Sequence, residues 1–318
     1  GRSVWVPDRY VTGSESVVDM TPPVLWWVKL EPSTRGVKVI MPLGRKVMYR
    51  LHEENGGGRI VLELFGVVSH LDLVGYPPGS GPVREVVWEQ PADGSVRLGI
   101  GLSEPCWGYY PYWDGGDLVL FVRRPPAPRR GIEGVHIALD PGHGGDQEGA
   151  IGPTRLMEKD VNLAVALELA KLLRRKRAVV TLTRATDVEV GLAHRVSIAR
   201  RAGADLMISI HHNALRDGKD PFVPLGTSVR YYHPKSRELA AAVQARVVKA
   251  LGLPDEGIYY QNLALTRTFA MPAVLIEAAY IMLPRQEMMM REPGYPTKLA
   301  RAIYRGIERF VSGRCRHR

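Results

Sequence analysis

A break at Arg123-Arg124-Pro125-Pro126-Ala127-Pro128-Arg129-Arg130 constrains this chain more than any other feature. Proline cannot donate to a sheet ladder and favours extended polyproline backbone, so a strand entering this stretch does not continue through it. A chain of 318 residues also exceeds one typical domain. We therefore expect a first domain over residues 1–124, a linker over 125–131 and a second domain over 132–318.

The patterns on the two sides of the break differ. Before it, short apolar runs such as Val37 to Met41, Ile60 to Leu64 and Leu118 to Val122 alternate with the turn clusters Glu54-Asn55-Gly56-Gly57-Gly58, Pro77-Pro78-Gly79-Ser80-Gly81 and Asp114-Gly115-Gly116. That spacing reads as a small antiparallel sandwich or barrel. All six tryptophans (Trp5, Trp26, Trp27, Trp88, Trp107, Trp113) lie here and are expected in its core or hairpins.

After it, strand candidates at Val135 to Leu139, Val179 to Thr183, Leu206 to Ile210, Ser228 to Tyr232 and Ala273 to Glu277 are mostly continuous apolar runs, as in strands buried on both faces. Helix candidates separate or follow them: Glu158 to Lys176, Gly191 to Ala202, Ser236 to Leu251 and Thr297 to Val311. This alternation implies an α/β domain with a mostly parallel twisted sheet covered by helices on both faces. The cations Arg174, Arg175, Lys176 and Arg177 close the first helix, where they complement its dipole.

The composition excludes several classes. Hydrophobic residues make up 45% and charged residues 24%, which rules out a mainly disordered or coiled-coil chain. No apolar run approaches the ~18 residues of a membrane helix. A net charge of +10 suits nucleic acid, lipid headgroups or phosphate-bearing wall polymers, but no nucleic-acid recognition motif accompanies it. Cys106 and Cys315 are too few for a disulfide framework and are expected to stay unpaired.

In an open parallel sheet, functional groups gather beyond the carboxyl ends of the strands. Here the first strand runs into Asp140-Pro141-Gly142-His143-Gly144-Gly145, the third ends at His211-His212-Asn213 and the fifth at Glu277, while Glu158 opens the first helix. His143, Glu158 and His211 make a suitable ligand set for one catalytic zinc with a position left for water, although two imidazoles and a carboxylate also fit other divalent ions. Alternation along the strand sends His211 and His212 to opposite faces, so one of the two enters the site and Asn213 shares the face of His211. A carboxylate completing the run Ala273-Val274-Leu275-Ile276 faces desolvation unless something compensates it, which singles out Glu277.

These residues resemble the zinc-dependent N-acetylmuramoyl-L-alanine amidases of the Amidase_3 type. The resemblance runs through Ile137 to Gly145, Gly149 to Pro153, Glu158 to Leu163, Leu182-Thr183-Arg184, Leu192 and Arg195, Ala202 to Leu206 with Ser209-Ile210-His211, and Met271 to Glu277. It implies zinc on His143, Glu158 and His211, Glu277 as the catalytic carboxylate, a mixed six-stranded sheet, and peptidoglycan as substrate; Asn213 and Arg195 are expected as substrate contacts. It departs from the family at His212, where a small residue is usual, and along Glu277-Ala278-Ala279-Tyr280-Ile281-Met282-Leu283, where Glu-x-Gly-Phe-x-Ser-Asn is usual. Some members cover the zinc with a long helical insertion, whereas only Leu215 to Leu225 stand at that place, so an open site is expected.

Segments such as Arg59 to Leu64, Ser95 to Ile100 and Asp117 to Val122 look like the AMIN domain that targets related amidases to the envelope. The expected protein is then a monomeric zinc amidase of the cell wall. It is exported by inference from its substrate, since no secretory signal is visible in this chain. The rival readings are a zinc peptidase with other substrates and a non-catalytic wall binder.

Overall fold

The computed structural model describes residues 21–79, 81–91, 94–104, 106–215 and 225–314. Trp5, Cys315, the end of the basic tail and most of the stretch from Leu215 to Leu225 lie outside them.

The first nine strands form two sheets. In one, β5 (Val68–Gly75), β1 (Val24–Ser33), β2 (Gly36–Pro42), β9 (Asp117–Arg123) and β8 (Gly108–Asp114) lie side by side in that order; in the other, β3 (Tyr49–Glu54), β4 (Arg59–Phe65), β7 (Ser95–Leu102) and β6 (Val83–Glu89) do. Pairing is antiparallel except between β1 and β5. Alternate residues of both sheets, among them Leu30, Val39, Leu62, Leu64, Leu98, Ile100 and Leu120, meet in one core. The tryptophans divide: Trp107 is buried, but Trp26 is 58% exposed and Trp27 and Trp88 about 40%. Of the expected core or hairpin places, the core is excluded for these three, which stand on the outward faces of their strands, and Trp107 packs into the second domain's core.

Six strands make the second domain's sheet, in the order β11 (Val179–Leu182), β10 (His136–Pro141), β12 (Leu206–Asn213), β15 (Ala273–Tyr280), β13 (Thr227–Tyr231), β14 (Asp255–Tyr260). Four of the five pairings are parallel, and β13 against β15 is antiparallel. The sixth strand, β14, escapes a hydrophobicity reading because it opens with Asp255-Glu256-Gly257 at the sheet edge.

Helices α1 (Glu158–Arg175), α3 (Arg237–Leu251) and α5 (Tyr295–Arg314) pack on one face against Ile137, Leu139, Ile208, Ile210, Val274 and Ile276. On the other face α2 (Leu192–Arg201) and the segment from Leu263 to Met271 cover Ala138, Met207, Ala273 and Leu275. A short α4 (Pro284–Arg291), started by its proline, leads from β15 toward α5. No helix among the described residues is long and apolar enough to cross a membrane.

The sandwich is fixed to the amino ends of β10, β12 and β15. Arg123, the last residue of β9, is buried and pairs with Asp205 at 2.6 Å, while donating to the carbonyl of Ala204. Asp205 also accepts from the His136 amide at 2.9 Å, and its own carbonyl accepts from Trp107 Nε1 at 3.0 Å. A second buried pair joins Glu53 to Lys235. The opposite end of the parallel strands is left free, and the candidate site lies there.

Candidate metal centre

Strand β10 ends at Pro141, and the chain turns through Gly142, His143 and Gly144 before it can reach α1. His143 takes a left-handed backbone, φ 61°, which is uncommon for a residue with a side chain and concentrates at functional sites. Two glycines bring the ligands together. A Cβ at Gly142 would collide with the His211 ring, and one at Gly149, whose φ is +73°, would lie 2.6 Å from Glu158 Oε2 and 2.7 Å from the His143 ring.

Glu158, the first residue of α1, sits between the two imidazoles. His143 Nε2 lies 3.1 Å from its Oε2, and His211 Nδ1 lies 3.0 Å from its Oε1. The remaining acceptor capacity takes the amide of Ala150 at 2.9 Å, the amide of His212 at 3.1 Å and Asn162 Nδ2 at 3.1 Å. Burial raises the carboxyl's pKa, but the hydrogen bonds and charges of His211 and His143 outweigh it and hold Glu158 well below the usual carboxylate range. Burial opposes the charged form of His211, yet Glu158, Glu277 and Asp140 together raise it above its ordinary value.

One ligand atom from each of His143, Glu158 and His211 lies within 4.8 Å of the others. His211 turns its Nδ1 toward Glu158, and its Nε2 is buried without a hydrogen-bond partner. Two imidazoles, one ionised carboxylate and this spacing fit a single divalent ion.

Glu277 stands beside them on β15, directly opposite His211 in register. Its Oε2 is buried and unpartnered, and burial pushes its pKa up to about 7; His211 draws it down, Glu158 raises it, and Arg230 and His143 draw it down less. A carboxyl poised near neutrality can both take and return a proton.

The strand alternation holds. His212 is buried on the other face, where its ring nitrogens meet Asn162 Oδ1 and the Tyr295 hydroxyl, each at 2.8 Å. The departure from a small residue is thus absorbed by a tyrosine of α5. Asn213 remains at the rim, its Oδ1 accepting from the Ala214 amide at 2.9 Å.

Arg195 does not face a substrate. It is 2% exposed, and its guanidinium donates to Asp140 Oδ1 at 2.9 Å and to the carbonyls of Pro141, His143 and Val190 at 2.7 Å each. We correct its expected role: it positions the loop that carries His143. Arg184 does the same from β11's end, donating to Pro141 at 3.0 Å and Gly142 at 2.9 Å. Asp140, which also accepts from Thr183 and Ser209, and Asn162 complete this support. The sequence signal for Asp140 was its place at the end of an apolar strand, whereas the partners of Asn162 are set by tertiary packing.

The fold and this site define an α/β enzyme whose His143, Glu158 and His211 are spaced to hold a metal ion at the carboxyl ends of a parallel sheet. The family model for N-acetylmuramoyl-L-alanine amidase matches residues 137–309, and the chain belongs to that family. A relative described as probable cell wall amidase LytH, from Staphylococcus aureus, is 34% identical over 183 residues, which are 57% of this chain and 60% of the relative. The chain thus spans less than two thirds of that relative's length. Among solved structures, the N-acetylmuramoyl-L-alanine amidase of Clostridium difficile 630 is 32% identical with a TM-score of 0.53, covering 57% of this chain and 98% of that one. The catalytic domain of CwlV from Bacillus (Paenibacillus) polymyxa var. colistinus is 31% identical, also with a TM-score of 0.53, covering 56% and 98%.

Proposed function

We propose that this chain hydrolyses the amide between the lactyl group of N-acetylmuramic acid and L-alanine of the peptidoglycan stem, with one zinc ion on His143, Glu158 and His211. The observation that carries this reading is the placement of Glu277: a buried carboxyl with an unpartnered oxygen, across from His211 in register. Zinc, when bound, supplies a Lewis acid that polarises the amide carbonyl and lowers the pKa of water. Glu277 takes the proton of the attacking water and passes it to the leaving amine. Glu158 stays ionised throughout, held by the amides of Ala150 and His212 and by Asn162 Nδ2.

The connection from β12 to β13 is short, with Leu215 to Leu225 replacing any long covering helix, and this supports a site that needs no activator. Asn213, on the rim beside His211, is a substrate contact on this reading. The enzyme acts as a monomer in the cell envelope, outside the cytoplasmic membrane. The sandwich serves as a wall-facing, AMIN-like module, a role supported by the exposed Trp26, Trp27 and Trp88.

The test is release of dye from labelled peptidoglycan, with zinc content measured in parallel. Glu277→Gln is expected to keep zinc and lose release, whereas His211→Ala loses both. Near-normal release by Glu277→Gln removes Glu277 from the mechanism, and full release in excess chelator removes the metal.

A further inference from the structure

Beyond Glu277 the same sheet face carries a cation whose side chain makes no ion pair or hydrogen bond among the described residues. Ser228 lies directly opposite Glu277 in register, and Arg230 opposite Leu275, so Ser228, Arg230, Glu277 and His211 project to one side of the sheet. On the outer side Arg230 is in register with Tyr259 of the edge strand. Its guanidinium lies over that ring at 4.6 Å from the centroid, and the tyrosine is 44% exposed. Stacking fixes the plane of a guanidinium while leaving its N–H edges able to grip a carboxylate.

Those edges have no partner among the described residues: Arg230 makes no ion pair or hydrogen bond there. The two acids of β14 are engaged elsewhere. Glu256 accepts from the Gly226 amide at 2.8 Å and the Tyr280 hydroxyl at 3.1 Å; Asp255 accepts from Gln244 at 2.6 Å and the Gly257 amide at 2.8 Å. Between Arg230 and Glu277, the buried hydroxyl of Ser228 is also without a hydrogen bond. An orphaned donor next to a cation without an ion pair among the described residues, both facing the reacting carboxyl, is the arrangement of a ligand subsite.

We propose that Arg230, held by Tyr259 and aided by Ser228, forms a subsite for a carboxylate of the substrate, one residue beyond the amide that is cut. This deepens the amidase reading and rests on it. Arg230 is two residues along the face from the level of Glu277, ~7 Å at strand spacing. An extended peptide advances ~3.3–3.6 Å per residue, so an α-carboxyl group one residue past the leaving alanine falls within reach of the arginine side chain. The stem peptide has an acidic residue there, whose α-carboxyl group is either free or amidated. The subsite selects the free acid.

Two soluble muramoyl-L-alanyl dipeptides test this, one ending in D-glutamate with a free α-carboxyl group and one carrying the carboxamide instead. We expect the zinc-loaded chain to prefer the free acid by roughly tenfold or more in kcat/KM, as a charge-assisted contact supplies. Arg230→Gln brings the ratio to about one, and Arg230→Lys, which keeps the charge without the fork, falls between. Calorimetric binding to Glu277→Gln, with and without the Arg230→Gln change, should give the same order of ratios without turnover. A ratio near one in the unaltered chain, or one that survives Arg230→Gln, overturns the subsite and leaves the amidase reading standing. If neither compound is cut the amidase reading fails, and the binding ratio alone then decides the subsite; no binding of either overturns both.

Discussion

Replacing Glu277 by glutamine keeps the shape of the side chain and removes its charge, which separates two effects that the native residue combines. In the folded chain burial pushes this carboxyl from the ordinary 4.5 up to about 7. The folded state therefore keeps a proton that the unfolded state releases, and stability falls as pH rises between those values. The cost is absent below 4.5, grows through the interval and is complete above 7, where a rise from 4.5 to about 7 amounts to about 3 kcal/mol. In the metal-free protein, Glu277→Gln should thus be the more stable form by about 3 kcal/mol at pH 8.5, with the gap closing toward pH 4. Urea unfolding at the two pH values, with chelator present, reads this directly. Turnover should move the opposite way, falling by ~10²–10⁴, the usual contribution of general acid–base catalysis. A glutamine variant no more stable than the native chain at pH 8.5, or a gap independent of pH, would refute the claim that a desolvated carboxylate is stored at this site.

Three further outcomes follow from the surrounding contacts. Arg195→Gln removes donors from Asp140 and from the carbonyls that shape the His143 loop; zinc affinity, measured by competition with a chelating dye, should weaken by ~10–100-fold. His212→Leu strands Asn162 Oδ1 and the Tyr295 hydroxyl in the interior, so denaturant unfolding should show a loss of about 2–3 kcal/mol; an unchanged midpoint would mean those bonds are idle. Asp205→Ala leaves Arg123 buried without its counter-charge where the two domains meet, at about 3–5 kcal/mol by the same assay, and limited proteolysis should then cut near the Pro125-Pro126 link.

Much of the catalytic end was legible because parallel strands deliver their next residues to one place. His143, His211 and Glu277 each follow an apolar run, and Glu158 begins the helix between them, so linear order alone predicted their convergence, and the structure groups them. What the sequence withheld was long-range partnership. Nothing local indicates that Arg195 turns inward to Asp140, or that Tyr295, far along the chain, accommodates His212. Strand β14 was hidden because an edge strand need not be apolar, and Trp26, Trp27 and Trp88 because hydrophobicity alone does not say which face of a strand meets the core. Arg230 carried no motif, and only the register of β13 against β15 sets it on the face of Glu277.

In the proposed function, Glu277 and a metal on His143, Glu158 and His211 cut one particular amide. Mass spectrometry of the products from purified peptidoglycan, run with and without chelator and after zinc add-back, tests it most directly. The expected result is chelator-sensitive release of stem peptides with a free L-alanine amino terminus, leaving bare glycan strands. Cuts within the stem, or release that persists without metal, would contradict it.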